Sequence, residues 1–133
     1  MEIRFENKVA FITGAAGGIG YAAARMFAEA GASVVMADLD SRVTDRAKEL
    51  EAEGHNAIGI RCDVSDEAQV KAAVEKAVAV FGKLDIAYNN VGIHAAVRED
   101  LAETEGWDFD RVISVNLRGV WNCMKYELVE MKK

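Results

Sequence analysis

The chain has no proline in 133 residues, whereas average usage is about 5%. No proline-rich linker therefore divides it, and no internal repeat or low-complexity stretch is visible. Cysteine is scarce as well. Cys62 and Cys123 lie far apart and form no CxxC pair, and with only His55 and His94 for company they show no metal-ligand spacing. No metal site is expected. One disulfide or two free thiols would both be compatible, and buried free thiols in a reducing cytoplasm are the expectation. There is no block of basic residues. Lys and Arg total 16 against 22 Asp and Glu, a net charge of −6, so the electrostatic footprint of a nucleic-acid or anionic-membrane binder is missing. There is also no long apolar run. The longest uncharged stretch, Val9 to Ala24, is rich in Gly and Ala and falls short of the ~20 residues a membrane span needs. Glu2 and Glu6 precede it, unlike the basic start of a signal peptide. A cytoplasmic protein with no membrane partner is expected.

What is present describes one globular domain: 51% hydrophobic and 29% charged residues in a length suited to a single core. Short β-branched runs alternate with amphipathic stretches. Lys8 to Thr13, Ser33 to Ala37, Asn56 to Cys62 and Leu84 to Asn89 read as strands. Gly18 to Ala30 reads as a first helix, with Ile19, Ala23, Met26, Phe27 and Ala30 marking one face and Gly31 ending it. Ser41 is placed to cap a second helix, which turns Val43, Ala47 and Leu50 to one side. Ser65 and Asp66 open a third helix, with Val70, Val74, Ala77, Val78 and Phe81 on its face. A loop over 91–103 precedes a long helix from about Thr104 to Met131. That helix is apolar on more than one side, with Ile113, Leu117, Trp121, Met124 and Leu128 forming one of them, so it needs cover on more than one side.

Strand–helix alternation with short connections predicts an α/β fold, a Rossmann-type doubly wound parallel sheet of strand order 3-2-1-4. Ligands bind such sheets at the switch point, beyond the carboxyl ends of strands one and four.

Thr13-Gly14-Ala15-Ala16-Gly17-Gly18-Ile19-Gly20 leaves a strand and enters a helix at that point. Free amides and the positive helix end there suit a pyrophosphate, and glycine lets backbone and phosphate approach. A tight turn alone would also need glycine; the flanking strand and helix favour dinucleotide binding. Asp38 closes strand two, where a carboxylate can accept both ribose hydroxyls and repel a 2′-phosphate; with Ala16 and Leu39 as neighbours, NAD is favoured over NADP. Asp38 could instead simply start a turn. Asp63 and Val64 follow strand three and could meet the adenine, or Asp63 could form a turn before the helix cap. Asn89, Asn90 and Gly92 end strand four, where the amides could brace turns or touch the ribose. Asn116, inside an apolar helix, is expected to be a buried amide that braces strand four, holds water or serves a site. His94 could reach a substrate, although a lone loop histidine commonly has no special role.

Together these residues resemble the short-chain dehydrogenase/reductase family over essentially the whole chain. TGAAGGIG is similar to its T-G-x-x-x-G-x-G turn, Asp38 to the acidic residue of NAD-preferring members, and Asp63-Val64 to its adenine-contacting pair. Asn89 to Gly92 resembles its N-N-A-G motif with Val91 for Ala, and Asn116 falls at the Asn of its catalytic tetrad. The resemblance implies NAD held by Gly14, Gly18, Ile19, Gly20, Asp38, Asp63, Val64, Asn90 and Gly92, with Asn116 as the catalytic residue present. It implies hydride transfer between nicotinamide and a small alcohol or ketone.

Family members usually run to about 250 residues. Their Ser and Tyr-x-x-x-Lys follow a fifth strand, and this sequence ends before it. Tyr21, Tyr88 and Tyr126 are followed four residues on by Arg25, Gly92 and Glu130. Residues 1–133 are therefore expected to be the dinucleotide-binding part without the catalytic C-terminal part, inactive alone. Homo-oligomerisation through the long helix or the bare edge of strand four is also expected. The alternatives are a nucleotide-binding module without catalysis and a non-binding oligomerisation fragment.

Overall fold

The computed structural model describes residues 1–96 and 100–133. Four strands, β1 (Val9–Thr13), β2 (Ser33–Asp38), β3 (Ala57–Arg61) and β4 (Ile86–Tyr88), form one parallel sheet in the order β3-β2-β1-β4. The register pairs Phe11 with Val35 and with Ala87, so the middle of β1 sits between its two neighbours. Helices cover both faces, which is why β1 as far as Ile12 and the middle of β2 are continuously apolar rather than alternating.

The pleat sends Ala10, Ile12, Val34 and Met36 to one face and Val9, Phe11, Val35 and Ala37 to the other. The first face is closed by α1 (Gly18–Glu29) and α2 (Arg42–Ala52). The second is closed by α3 (Glu67–Phe81) and by α5 (Gly119–Met131). α4 (Gly106–Ile113) runs into α5 through a wider π turn, Ser114–Arg118, so the expected long helix is one path with a bulge in it.

α2 and α3 follow the apolar periodicity. Val43, Ala47 and Leu50 are buried in α2, and Val70, Ala73, Val74 and Ala77 in α3. The Asp66 carboxylate caps α3 by accepting the Ala68 and Gln69 amides, and Gly82 ends it in the left-handed conformation. α1 departs from the expected face. Gly20, Ala24 and Ala28 face the sheet, while Ile19 and Met26 are exposed. At Gly20 the helix meets the Gly14 backbone too closely for any side chain, so there size rather than hydropathy selects the inner side. Ser41 precedes α2 but makes no side-chain cap; Asp40 accepts the Arg42 amide instead.

Candidate functional site

The glycine turn sits at the carboxyl end of β1. Gly14 and Gly18 have φ of 69° and 55°, the left-handed region glycine tolerates. A Cβ on Gly20 would collide with the Gly14 carbonyl, so the turn and the first turn of α1 are in direct backbone contact. No side chain caps the N-terminus of α1. Its first amides lack helical acceptors by construction, and the helix dipole adds positive potential there.

Asp38 pins this turn. Its Oδ2 accepts the Ala16 amide at 3.0 Å and its Oδ1 the Asp40 amide at 2.9 Å. The turn-starting role is therefore the observed one, and each carboxylate oxygen keeps a lone pair that could accept a further hydrogen bond. Two arginines that the local sequence did not flag close in beside it. Arg42 pairs with Asp40 at 2.7 Å, and Arg61 Nε donates to the Leu39 carbonyl. Arg46 reaches the turn itself, donating to the Ala16 carbonyl at 3.2 Å. Their charge is taken up by Asp40, Glu49 and backbone carbonyls.

A cavity of about 750 Å³ opens beyond the ends of β1, β2 and β4. Gly14, Asp38, Asp63, Val64, Asn90 and Gly92 all line it. Gly18 and Ile19 are exposed where α1 begins, Gly20 is buried beneath the turn, and Asn116 stands outside the lining. Asp63 Oδ1 accepts the Ser65 amide and hydroxyl, the turn before the α3 cap, while Val64 is buried.

The end of β4 is braced from beneath. Thr13, almost fully buried, accepts the Asn90 and Val91 amides on its hydroxyl oxygen at 3.0 and 3.2 Å. The Asn90 side-chain nitrogen lies against both Gly14 and Gly20. Asn89 turns the other way and donates to the buried Glu127 of α5 at 2.7 Å.

Asn116 is exposed rather than buried, because the π turn rotates it off the packed side of the helix. Its amide grips the Ile93 backbone at two points, accepting the amide at 2.8 Å and donating to the carbonyl at 2.7 Å. Bracing of the segment after β4 is thus its observed contact. His94 is exposed, with Nδ1 2.8 Å from the Ala95 carbonyl oxygen.

Asp108, Arg111 and Glu127 escaped the sequence reading. Asp108 is buried and accepts the Ala96 amide on both oxygens. Arg111 lines the cavity and donates to the His94 carbonyl and to Asp108. An Asp and an Arg three apart on a helix read as an ordinary surface pair, so nothing local marked them. Among the described residues, no three His, Cys, Asp or Glu side chains are grouped to hold a metal. Both cysteines are free and buried, with burial pushing Cys62 up to about 11 and Cys123 up to about 12.

The short chain dehydrogenase family matches residues 8–133, nearly the whole chain. This chain belongs to the short-chain dehydrogenase family. It is 44% identical over 124 residues to secoisolariciresinol dehydrogenase of Forsythia intermedia, covering 92% of this chain and 44% of that protein. It is 43% identical over 127 residues to cis-4-hydroxycyclohexanecarboxylate dehydrogenase of Sinomonas cyclohexanicum, covering 96% and 51%. A solved short-chain dehydrogenase/reductase from Burkholderia phymatum, in complex with NAD, superposes with a TM-score of 0.91 at 37% identity, covering 97% of this chain and 46% of that one. This short-chain dehydrogenase chain spans about half the length of the curated relatives it matches.

Proposed function

We propose that residues 1–133 are the dinucleotide-binding part of an NAD-dependent short-chain dehydrogenase, acting on a small alcohol or ketone. The observation that carries the reading is the uncapped start of α1 behind Gly14, pinned to the Asp38 carboxylate beside one cavity. The fit is specific in kind. The amides of the glycine turn suit a pyrophosphate, and Asp38 suits the adenosine ribose. Asp63 and Val64 suit the adenine end, while Asn90 and Gly92 shape the side toward β4. The likeness to the NAD complex from Burkholderia phymatum supports the same assignment.

When bound, NAD supplies the hydride acceptor. The chain's own share is to bind and orient it. Asp38 disfavours a 2′-phosphate by like charge, so NAD is preferred although Arg42 and Arg61 stand near. Asn116 is the catalytic-position residue, holding Ile93 in place at the cavity rim. The chain holds no Tyr-x-x-x-Lys. Without that acid/base these residues alone lose a contribution of about 10²–10⁴-fold, and we expect no turnover from them in isolation.

A homo-oligomer agrees with the apolar side of α4 and α5, where Phe109, Leu117, Trp121 and Met124 are exposed. The free thiols agree with a cytoplasmic setting. No described helix is long and apolar enough to cross a membrane.

The test is thermal. NAD should raise the melting temperature, NADP should raise it less, and Asp38→Ala should abolish the NAD effect. An equal response of wild type and Asp38→Ala would refute the ribose assignment.

A further inference from the structure

Glu127 is the one carboxylate on α5 with almost no exposure, at 1%. Asn89 Nδ2 donates to its Oε1 at 2.7 Å, across 38 residues of sequence. Read as a carboxylate, Glu127 would leave two acceptors in this pair without donors, because its Oε2 and Asn89 Oδ1 are both buried and unpartnered. Stranded buried acceptors are costly, and a buried charge with no cation more so. A single proton on Oε2 changes the account. It would supply a donor for Asn89 Oδ1, so that acid and amide could close a ring of two complementary hydrogen bonds in place of the single one from Asn89 Nδ2.

We propose that Glu127 is a positioning residue, a neutral carboxylic acid that clasps the Asn89 amide and thereby holds the end of β4 beneath the glycine turn. The residue after Asn89 is the one whose amide reaches Thr13 and whose side chain lies against Gly14 and Gly20. Anchoring Asn89 to α5 fixes the backbone direction from which Asn90 and Val91 depart. Independent observations agree. Burial pushes the Glu127 carboxyl up, with the Asn89 bond pulling the other way, and among the described residues no cation figures among the causes. On the same helix, Cys123 interacts electrostatically with Glu127 and is itself held neutral, chiefly by burial, with Cys62 also acting on it. From β4 it is faced by the neutral Asn89.

The conservative variant separates this from a simple packing role. Glu127→Gln places a permanent N–H donor where the acid carries its proton, with a carbonyl opposite Asn89 Nδ2. Glu127→Leu keeps the volume and removes both bonds. Amide exchange in the free chain is the primary readout. In Glu127→Leu, Asn90 and Val91 should exchange about tenfold faster or more, while α3 stays protected. In Glu127→Gln they should match wild type. At neutral pH, the infrared difference between wild type and Glu127→Gln should contain a protonated-carboxyl band. Unchanged exchange at Asn90 and Val91 in Glu127→Leu, a Gln variant that behaves like Leu, or a carboxylate band would each overturn the proposal.

The consequence for nucleotide rests on the NAD reading above: Glu127→Leu should weaken NAD about tenfold and Glu127→Gln should not. A wild-type chain that ignores NAD would defeat that reading, while exchange and infrared would still decide the role of Glu127.

Discussion

α3 and α5 lie on the same face of the sheet and present opposite chemistry to it. α3 buries Val70, Ala73, Val74 and Ala77 and turns its charges to water. α5 buries Gly119, Asn122, Cys123 and Glu127, and leaves Trp121, Met124 and Leu128 about half exposed. The first arrangement is what a scaffold needs: apolar area removed from water and a capped start. The second spends its inner side on polar braces. Asn122 donates to the Val64 carbonyl beside the cavity, and Glu127 holds Asn89. An element that positions a site carries polar atoms inward, and its apolar residues are left at the surface.

The largest effect that could break this contrast comes from charge. Val74→Asp should cost about 3 kcal/mol or more and unfold the domain by circular dichroism, because Val74 is buried among apolar neighbours. Trp121→Asp should change stability by less than about 1 kcal/mol. In sedimentation it should instead abolish concentration-dependent association. Equal destabilisation by the two would erase the distinction between the helices.

A middle-sized effect tests the inner polar side. Asn122→Ala strands the Val64 carbonyl and should cost about 1–3 kcal/mol in denaturant midpoint. Asn122→Leu should not recover it, because the carbonyl stays unpaired; full recovery would make Asn122 mere filling.

The smallest effects concern two glutamates that tie α5 to its surroundings with opposite sign. The Glu127 carboxyl is raised in the folded state by burial. Its proton is therefore held more tightly folded than unfolded, and stability falls as pH climbs from the ordinary glutamate range toward the folded value. Glu127→Gln should flatten that fall. Glu67 is lowered by its bonds from Lys125 at 2.6 Å and Tyr126 at 2.8 Å, so its contribution is present above the ordinary range and disappears as pH falls through the lowered value. The bridge is exposed and salt-screened, so Glu67→Gln should shift the acid limb only slightly. Denaturant midpoints across pH check both signs.

Much of the fold was legible because α2, α3, β1 and β2 bury what their patterns mark. The strand order followed from alternation and handedness, and the glycine turn from its flanks. α1 was misread because at Gly20 its inner face is chosen by closeness to the Gly14 backbone, while Ile19 and Met26 stay exposed. Asn116 was expected buried because periodicity assumes 3.6 residues per turn, and the π turn at Ser114–Arg118 breaks that count. Ser41 looked like a cap, yet the neighbouring Asp40 accepts the amide. Glu127 and Asp108 were invisible, since a carboxylate on a helix reads as solvated until a distant partner is known.

The central claim is that the glycine turn and Asp38 hold NAD. Titration calorimetry with folded chain measures this most directly. The account predicts saturable heat with NAD, much weaker heat with NADP, and none with NAD for Asp38→Ala. Absence of heat from wild type at millimolar NAD and NADH would contradict it.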